Sequence, residues 1–364
     1  MTRRIVQLVT VSFVLSMFVD SAHAAAQRTF VSTTGVSNPA CSLVAPCRLF
    51  SDAITATLPR GEVVVLDSGG YGGVTITQAA SIIAPPGVYA GISVFSGDGI
   101  TVNAGGGDTV KLRGLTLNGL GGVNGITVNT VGALEVDDLR VSGFSFRGLY
   151  FAAAGRLSVV HSVFENNGES GLHAQPQTAN PASITIEYSR FDHNLNGAVL
   201  AGTAAGSILQ SSASDNSSVG FLVDSGAAAT LADCRASANN VGIMVRGMGN
   251  AAMIARCDVR GGMIGYNLEG PVTVEVTDSS AQEATDGFYV FNSATVAAER
   301  STATNNSEGF RVEVGTLRLS NCTSTHNTTG IVNVPGSTVE TRQNNTIRGN
   351  TTDVYAPITP FGPL

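Results

Sequence analysis

Residues 220–223 of the chain read Gly-Phe-Leu-Val, and residues 242–245 repeat the phrase as Gly-Ile-Met-Val. Nine intervals that span 205 residues separate the glycines of this pattern, and every interval is 21 to 23 residues long except one of 26. A fixed period of this size is typical of a solenoid, in which each repeat buries its apolar side only against its neighbours. The ten glycines that begin the pattern are Gly125, Gly148, Gly171, Gly197, Gly220, Gly242, Gly265, Gly287, Gly309 and Gly330.

A second element with alternating apolar residues lies eight to ten residues before each glycine, for example at 157–164 and 317–324. Its alternation has period two, which predicts strands, and no stretch inside a repeat has the period of a helix. The sequence therefore predicts an all-β, single-domain parallel β-helix of roughly eleven to twelve coils. The sixth position of the element is uncharged throughout, as an inward-facing stack requires, and holds Leu115, Leu139, Ser162, Ser189, Ser212, Cys234, Cys257, Ser279, Ser301 and Cys322.

Asparagine recurs in the turn between this element and the glycine. Asparagine tolerates left-handed backbone geometry, and stacked amides can form hydrogen bonds along the rod. We therefore interpret these residues as a structural ladder in preference to a ligand site. They are Asn166, Asn167, Asn194, Asn216, Asn239, Asn305 and Asn327.

The two ends of the chain differ from the repeats. Residues 1–24 combine Arg3 and Arg4, an apolar run and a small-residue cleavage site, which predicts a secretory signal peptide and an exported protein, periplasmic or extracellular. Residues 25–60 are expected to form a cap with one strand and an amphipathic helix from about 46 to 58, and a disulfide between Cys41 and Cys47 is expected to pin that helix.

The β-helix is expected to occupy residues 61–350. In the tail, 351–364, three prolines would stop strand pairing and the chain would fold across the last coil. Cys234, Cys257 and Cys322 are expected to be buried free thiols, because side chains stacked about 4.8 Å apart exceed the usual separation for a bridge.

Composition excludes several classes of partner. The net charge is −7, Lys111 is the only lysine, and no basic cluster exists to neutralise phosphates. Nucleic acid and anionic membrane surfaces are therefore not expected as partners. No apolar run after the signal peptide approaches the length of a transmembrane segment.

The chain resembles the right-handed parallel β-helix proteins of the pectate-lyase-like superfamily. The period, the Gly-Ile-x-Val strands, the serine, cysteine and asparagine stacks, and the cap leading into Gly69-Gly-Tyr71-Gly-Gly-Val carry this resemblance. It implies a right-handed coil and activity on, or binding of, polysaccharides, because many relatives cleave or epimerise acidic polysaccharides and others bind glycans. The resemblance also implies that a ligand would lie across one sheet, against the outward side chains of successive strands.

Alternation places the second and fourth residues after each glycine on that outward face. The second-position column contains Tyr150, His173, Asn267, Tyr289 and Arg311, and the fourth-position column contains Asp224, Arg246, Glu269, Phe291 and Glu313. His173, Asp224, Arg246 and Glu269 are the candidates for catalysis, since Asp224 and Glu269 would lie two coils apart with Arg246 between them. The candidates for substrate binding are Tyr150, Asn267, Tyr289, Phe291, Arg311 and Glu313.

Two functions remain open. The first is a non-catalytic protein that binds a polysaccharide or cell-surface glycan along this sheet, and the second is a polysaccharide lyase, hydrolase or epimerase with a divergent site. Asp224, Arg246 and Glu269 also fit a structural charge ladder, and the catalytic signatures of polygalacturonases and alginate epimerases are missing, which favours the first. The four histidines after the signal peptide have no metal-ligand spacing, so no metal or other cofactor is expected, except calcium if the protein is a lyase.

Overall fold

The structure is a computed structural model that describes residues 25–362. The predicted signal peptide, 1–24, lies outside the described residues. The described chain winds into a right-handed parallel β-solenoid of about 13 turns, one or two more than the repeats predicted. Strands of successive coils pair in parallel into three long sheets, as the period-two pattern predicted.

The long sheet has 15 strands and forms one face of the solenoid. Its strands are Ala26–Val31, Thr57–Val65, Ala80–Ile83, Thr109–Arg113, Ala133–Asp137, Arg156–Val160, Ala182–Glu187, Ala204–Leu209, Ala228–Ala232, Ala251–Ala255, Thr273–Thr277, Thr295–Glu299, Thr316–Ser320, Thr338–Thr341 and Thr359–Pro360.

The short sheet follows the long sheet in each coil and has 13 strands, most of them three residues long. They are Gly69–Gly70, Ala90–Val94, Leu115–Gly119, Arg140–Ser142, Val163–Glu165, Arg190–Asp192, Ser212–Ser214, Arg235–Ser237, Asp258–Arg260, Ser280–Gln282, Thr302–Thr304, Thr323–Thr325 and Thr346–Ile347.

The glycine sheet, also of 13 strands, is the one in which the repeating glycines lie. A Cβ on Gly220 would stand 2.6 Å from the carbonyl oxygen of Gly242 in the next coil, so the close approach of neighbouring coils requires glycine there. The strands are Val74–Ile76, Ile100–Asn103, Ile126–Thr130, Arg147–Phe151, Ser170–Ala174, Asn196–Leu200, Val219–Asp224, Val241–Arg246, Ile264–Glu269, Asp286–Phe291, Glu308–Glu313, Thr329–Asn333 and Thr352–Tyr355.

The cap at the start of the solenoid contains a helix, α1, at Phe50–Ala56, which is shorter than the predicted 46–58. Phe50, Ala53 and Ile54 are buried, and the Phe50 ring lies 5.3 Å from that of Tyr71 in the first coil. A disulfide joins Cys41 and Cys47 just before the helix.

The last residues differ from the prediction. The chain was expected to fold across the final coil, but Thr359–Pro360 continues the spiral and pairs with Thr338–Thr341 of the long sheet. Pro360 is tolerated because this strand lies at the edge of the sheet, where a missing N–H leaves no ladder bond unmade. Phe361 extends the pairing with a backbone hydrogen bond of 2.9 Å to the carbonyl of Thr341.

The column at the bend between the long and short sheets is buried, but the alignment was wrong by one residue in one coil. Ser211, and not Ser212, faces inward and continues the stack. The N–H of Ser162 donates to Ser189 Oγ at 3.2 Å, and the N–H of Ser189 donates to Ser211 Oγ at 3.1 Å. Cys234, Cys257 and Cys322 fill the same column as buried, unpaired thiols.

The asparagines form a ladder at the turn before the glycine sheet. Asn216 donates to Asn239 Oδ1 from its amide at 2.9 Å and from its backbone N–H at 3.0 Å, and Asn239 donates to the carbonyl of Ala213 at 2.9 Å. The ladder stops where Gly262 and Ala284 replace asparagine and resumes at Asn306, not at the expected Asn305, which is exposed. Side-chain amides thus satisfy backbone groups that the sheets leave unpaired.

Replacing Asn239 by alanine should destabilise the protein by about 2–4 kcal/mol, because Asn216 and Ala213 would be left with unpaired buried groups. Asn240→Ala, at the neighbouring exposed position, is the matched control and should change stability by less than about 0.5 kcal/mol. Urea denaturation followed by circular dichroism measures both. Equal losses in the two variants would contradict a role of the ladder in stability.

Candidate functional site

The outward face of the glycine sheet is a shallow groove that runs along the solenoid. Its floor is the column two residues after each glycine, where Tyr150, His173, Val199, Leu222, Met244, Asn267, Tyr289 and Arg311 pair in register. Val199, Leu222 and Met244 are only 2%, 5% and 7% exposed although they point away from the core, and they form a small apolar cluster of their own. Most side chains in the columns on either side are half-buried and therefore more exposed than the central floor residues, so the floor lies lower than its two flanks.

The fourth-position column forms one flank, and Asp224, Arg246, Glu269, Phe291 and Glu313 follow one another there in register, as alternation predicted. The opposite flank was missed by the sequence reasoning. It consists of the residue before each glycine, including Arg147, Val219, Asp286 and Glu308.

The strand pairing explains why this flank was missed. Residues before the glycine pair with each other, as do residues after it, but the glycines have no paired partner in the register. The alternation of inward and outward side chains is therefore interrupted at each glycine. As a result, the residue before the glycine faces outward, on the same side as the residue two positions after the glycine. The ion pair between Arg311 and Glu308 places the two columns on the same side.

A cluster of charged and aromatic side chains occupies the groove at its N-terminal end. Glu169 accepts hydrogen bonds from Arg147 and, at 3.3 Å, from His173 Nδ1. The Arg147 guanidinium lies 4.3 Å from the centre of the Tyr150 ring, and Tyr150 contacts the His173 ring edge-on at 5.9 Å. Burial alone would raise the pKa of Glu169, but the hydrogen bonds from His173 and Arg147 outweigh it and lower the pKa to about 2. The Arg147 guanidinium and the Glu169 carboxylate therefore both have partners within the protein.

Asp224 and Arg246 form an ion pair in the middle of the groove, with 2.9 Å between Arg246 Nη2 and Asp224 Oδ2. Burial opposes ionisation of Asp224, but hydrogen bonds from Arg246 and Ser225 prevail and keep its pKa below the usual value. Asp224 is thus an ionised acceptor with Arg246 as its partner, which is the arrangement of a charge ladder.

The C-terminal end of the groove has a different composition. Tyr289 and Phe291 leave the same strand on the same side, and their rings stack with centroids 5.5 Å apart and planes 13° apart. On the next strand, Arg311 donates to Glu308 at 2.9 Å and to Glu313 at 3.0 Å, and Tyr289 also donates to Glu313 at 3.1 Å. Together with Asp286, these residues form what we call the aromatic–acid cluster: Asp286, Tyr289, Phe291, Glu308, Arg311 and Glu313.

Ionisation in the aromatic–acid cluster reflects crowding of carboxylates. Asp286 pairs directly with Glu308 across the strands, and burial together with that neighbouring charge raises the pKa of Asp286 to about 6. The pKa of Tyr289 rises to about 12 because of burial and its hydrogen bond to Glu313. Hydrogen bonds from Arg311 and Tyr289 lower the pKa of Glu313. One arginine therefore faces three carboxyl groups.

Two buried polar atoms at this end of the groove have no hydrogen-bond partner among the described residues: Asn267 Oδ1 and Arg311 Nε. Asn267 lies between Met244 and Tyr289 on the groove floor and is only 7% exposed. A buried polar atom without a partner costs free energy, and both of these atoms could form a hydrogen bond to a group placed on the groove floor.

The described residues contain no group of three or more histidine, cysteine, aspartate or glutamate side chains arranged to hold a metal ion. Between residues 25 and 362, no helix is long and apolar enough to cross a membrane.

A family model described as "Right handed beta helix region" matches residues 98–259 and 220–354, which together cover most of the solenoid. The chain belongs to this family. Among solved structures, the solenoid is similar to pectate lyase Pel9A, with 17% identity over 91% of this chain and 78% of that chain and a TM-score of 0.41. It is also similar to the A-module of the Azotobacter vinelandii mannuronan C-5 epimerase AlgE6, with 16% identity over 87% of this chain and 97% of that chain and a TM-score of 0.38. No curated protein matches the sequence significantly.

Replacing Glu169 by glutamine should lower the free energy of unfolding at neutral pH by up to about 3.5 kcal/mol, since its pKa falls from 4.5 to about 2 and one pKa unit corresponds to about 1.4 kcal/mol. The folded pKa of Glu169 is depressed, so its contribution is complete above the unfolded pKa and is lost as the pH falls from about 4.5 to about 2. The gap between wild type and variant should close over that range.

Unfolding free energies measured by urea denaturation across this pH range test the prediction. Glu187→Gln is the control, because Glu187 lies on the long sheet and has no ion pair within residues 25–362. A gap between wild type and Glu169→Gln that does not change with pH would contradict the assigned ion pairs.

Proposed function

We propose that the protein is an exported, non-catalytic glycan-binding protein that receives a polysaccharide or cell-surface glycan along the groove of the glycine sheet. The observation that carries this proposal is the stacked pair Tyr289 and Phe291 beside Asn267, whose buried amide oxygen lacks a partner. Sugar rings present apolar C–H faces and hydroxyl groups together, and an aromatic platform beside polar groups suits both.

The dimensions of the groove support an extended ligand. Tyr150 and Tyr289 lie on the same floor column six coils apart, which is about 29 Å at the spacing of paired strands. Between them the floor is apolar at Val199, Leu222 and Met244. Aromatic and polar clusters at the two ends of an apolar floor favour a chain that runs along the solenoid over a compact molecule.

A polysaccharide lyase, hydrolase or epimerase is the second candidate, and one observation favours it. Asp286 has a pKa raised to about 6 and lies opposite Glu308, so the pair combines a carboxyl that keeps its proton to a higher pH than usual with a second carboxyl. Environments that separate the pKa values of neighbouring carboxyls are typical of acid–base pairs. Asp224 and Glu269 are less suited, because Arg246 engages Asp224. Calcium belongs only to the lyase form of this alternative.

Replacing both Tyr289 and Phe291 by alanine should weaken binding of a recognised glycan by about tenfold or more, because the stacking platform is lost. Affinity electrophoresis in gels containing polygalacturonate, alginate or neutral glucans identifies the glycan and measures the loss. Tyr188→Ala is the control, since Tyr188 is 51% exposed and stacks on His161 outside the groove. Equal retardation of the wild type and the Tyr289, Phe291 double variant would exclude the groove as the binding site.

The same glycans, incubated with and without calcium, separate binding from catalysis. A binding protein yields neither unsaturated products nor new reducing ends. Product that forms with the wild type and disappears in Asp286→Asn would instead establish the enzyme and locate its acid.

A further inference from the structure

The aromatic–acid cluster carries a local excess of negative charge. Its three carboxyl groups face one arginine, and Glu269 adds a fourth carboxyl group next to Phe291 in the flank column. On the long-sheet side, several acids and arginines of neighbouring coils are paired: Arg256 forms two hydrogen bonds to Asp233, and Arg300 forms two to Asp278. Such pairing is what a stable sheet surface favours, so the unbalanced cluster needs another explanation.

A position for a cation is built around Phe291. The ring lies between Glu269 and Glu313 in one outward column and stacks on Tyr289 of its own strand. Two carboxylates about 9.6 Å apart therefore lie on either side of an aromatic ring, and Glu313 already accepts hydrogen bonds from Arg311 and Tyr289. Arg311 lies over the neighbouring Tyr289 ring at 5.5 Å, and no cation lies over Phe291 within the described chain. Aromatic faces attract cations, and the attraction increases where carboxylates and partial burial contribute.

The unpartnered atoms specify the ligand further. Asn267 Oδ1 is an acceptor that requires an N–H or O–H donor, and an ammonium group offers three. Arg311 Nε is a donor that requires an acceptor such as a hydroxyl oxygen. The hydroxyl groups of a sugar can satisfy both atoms, and the neighbouring carboxylates favour a sugar that also bears an ammonium group.

We propose that the glycan recognised at the aromatic–acid cluster is a cationic amino sugar polymer, with an unacetylated ammonium group over Phe291 between Glu269 and Glu313 and a hydroxyl group on Arg311 Nε. This inference rests on the proposed glycan-binding function and narrows its ligand class. Acidic polysaccharides are disfavoured at this cluster, because their carboxylates would meet like charges.

The test uses oligomers of one length on the mature protein at mildly acidic pH, where the amino groups of a glucosamine oligomer are protonated and glutamates stay ionised: glucosamine, its fully N-acetylated form and oligogalacturonate. Isothermal titration calorimetry should show the glucosamine oligomer binding at least tenfold more tightly than the acetylated one. Glu269→Gln should weaken binding of the glucosamine oligomer by about threefold to tenfold and leave the acetylated oligomer unchanged, which also shows that the groove remains folded. Glu275→Gln removes one charge from an exposed position of the long sheet and should have no effect.

The other outcomes separate the two proposals. Equal or tighter binding of the acetylated oligomer or of oligogalacturonate would overturn the amino-sugar inference and leave glycan recognition in place. The inference would also be overturned if Glu269→Gln and Glu275→Gln reduced the preference for the glucosamine oligomer equally. General attraction between the negative protein and the cationic oligomer would then be the cause. If neither these oligomers nor the polysaccharides above bind, the glycan-binding function itself is wrong and the inference fails with it.

Discussion

The fold depends on one constraint: equivalent residues of neighbouring coils lie about 4.8 Å apart in parallel, so each inward column must pack against copies of itself. Side chains that satisfy this condition are apolar, or carry a donor and an acceptor in the same group. Asparagine amides donate along the ladder to the next amide, and Tyr266, Phe288 and Phe310 stack ring on ring at 4.5 and 4.8 Å. Charged side chains cannot stack in an inward column, because like charges would be buried about 4.8 Å apart. Only uncharged residues therefore recur at the inward positions, and this recurrence is the repeat seen in the sequence.

Because the inward columns must repeat, the fold was largely predictable from the sequence. The period, the parallel pairing and the buried cysteines all follow from residues that face inward. The errors fall where spacing varies within a repeat. Ser211 replaces Ser212 in the inner column, and Asn306 replaces Asn305 in the ladder, because turns of different length shift the register by one residue and neighbouring serines or asparagines conceal the shift.

The groove was predictable only in part, for a different physical reason. Alternation correctly placed Tyr289, Phe291, Arg311 and Glu313 on the outward face. It could not place Asp286 on that face, because the unpaired glycine interrupts the alternation of its strand, and the acidic character of the cluster was therefore missed. The sequence left ion pairing at this face open. Asp224 matched both a catalytic spacing and a charge ladder in the sequence, and its contact with Arg246 supports the ladder.

The outward columns carry information about function because folding constrains them weakly. Along most of the surface they take the arrangement that stability alone would favour, with opposite charges on neighbouring coils, as in Arg260 and Glu283. In the aromatic–acid cluster, Asp286 lies opposite Glu308, and the repulsion contributes to the raised pKa of Asp286, which is a cost to the folded state at neutral pH. Replacing either carboxyl by an amide or hydroxyl would remove that cost without disturbing any inward column. A local arrangement that opposes folding, where a neutral substitute is available, is what the ligand-binding role proposed above would explain.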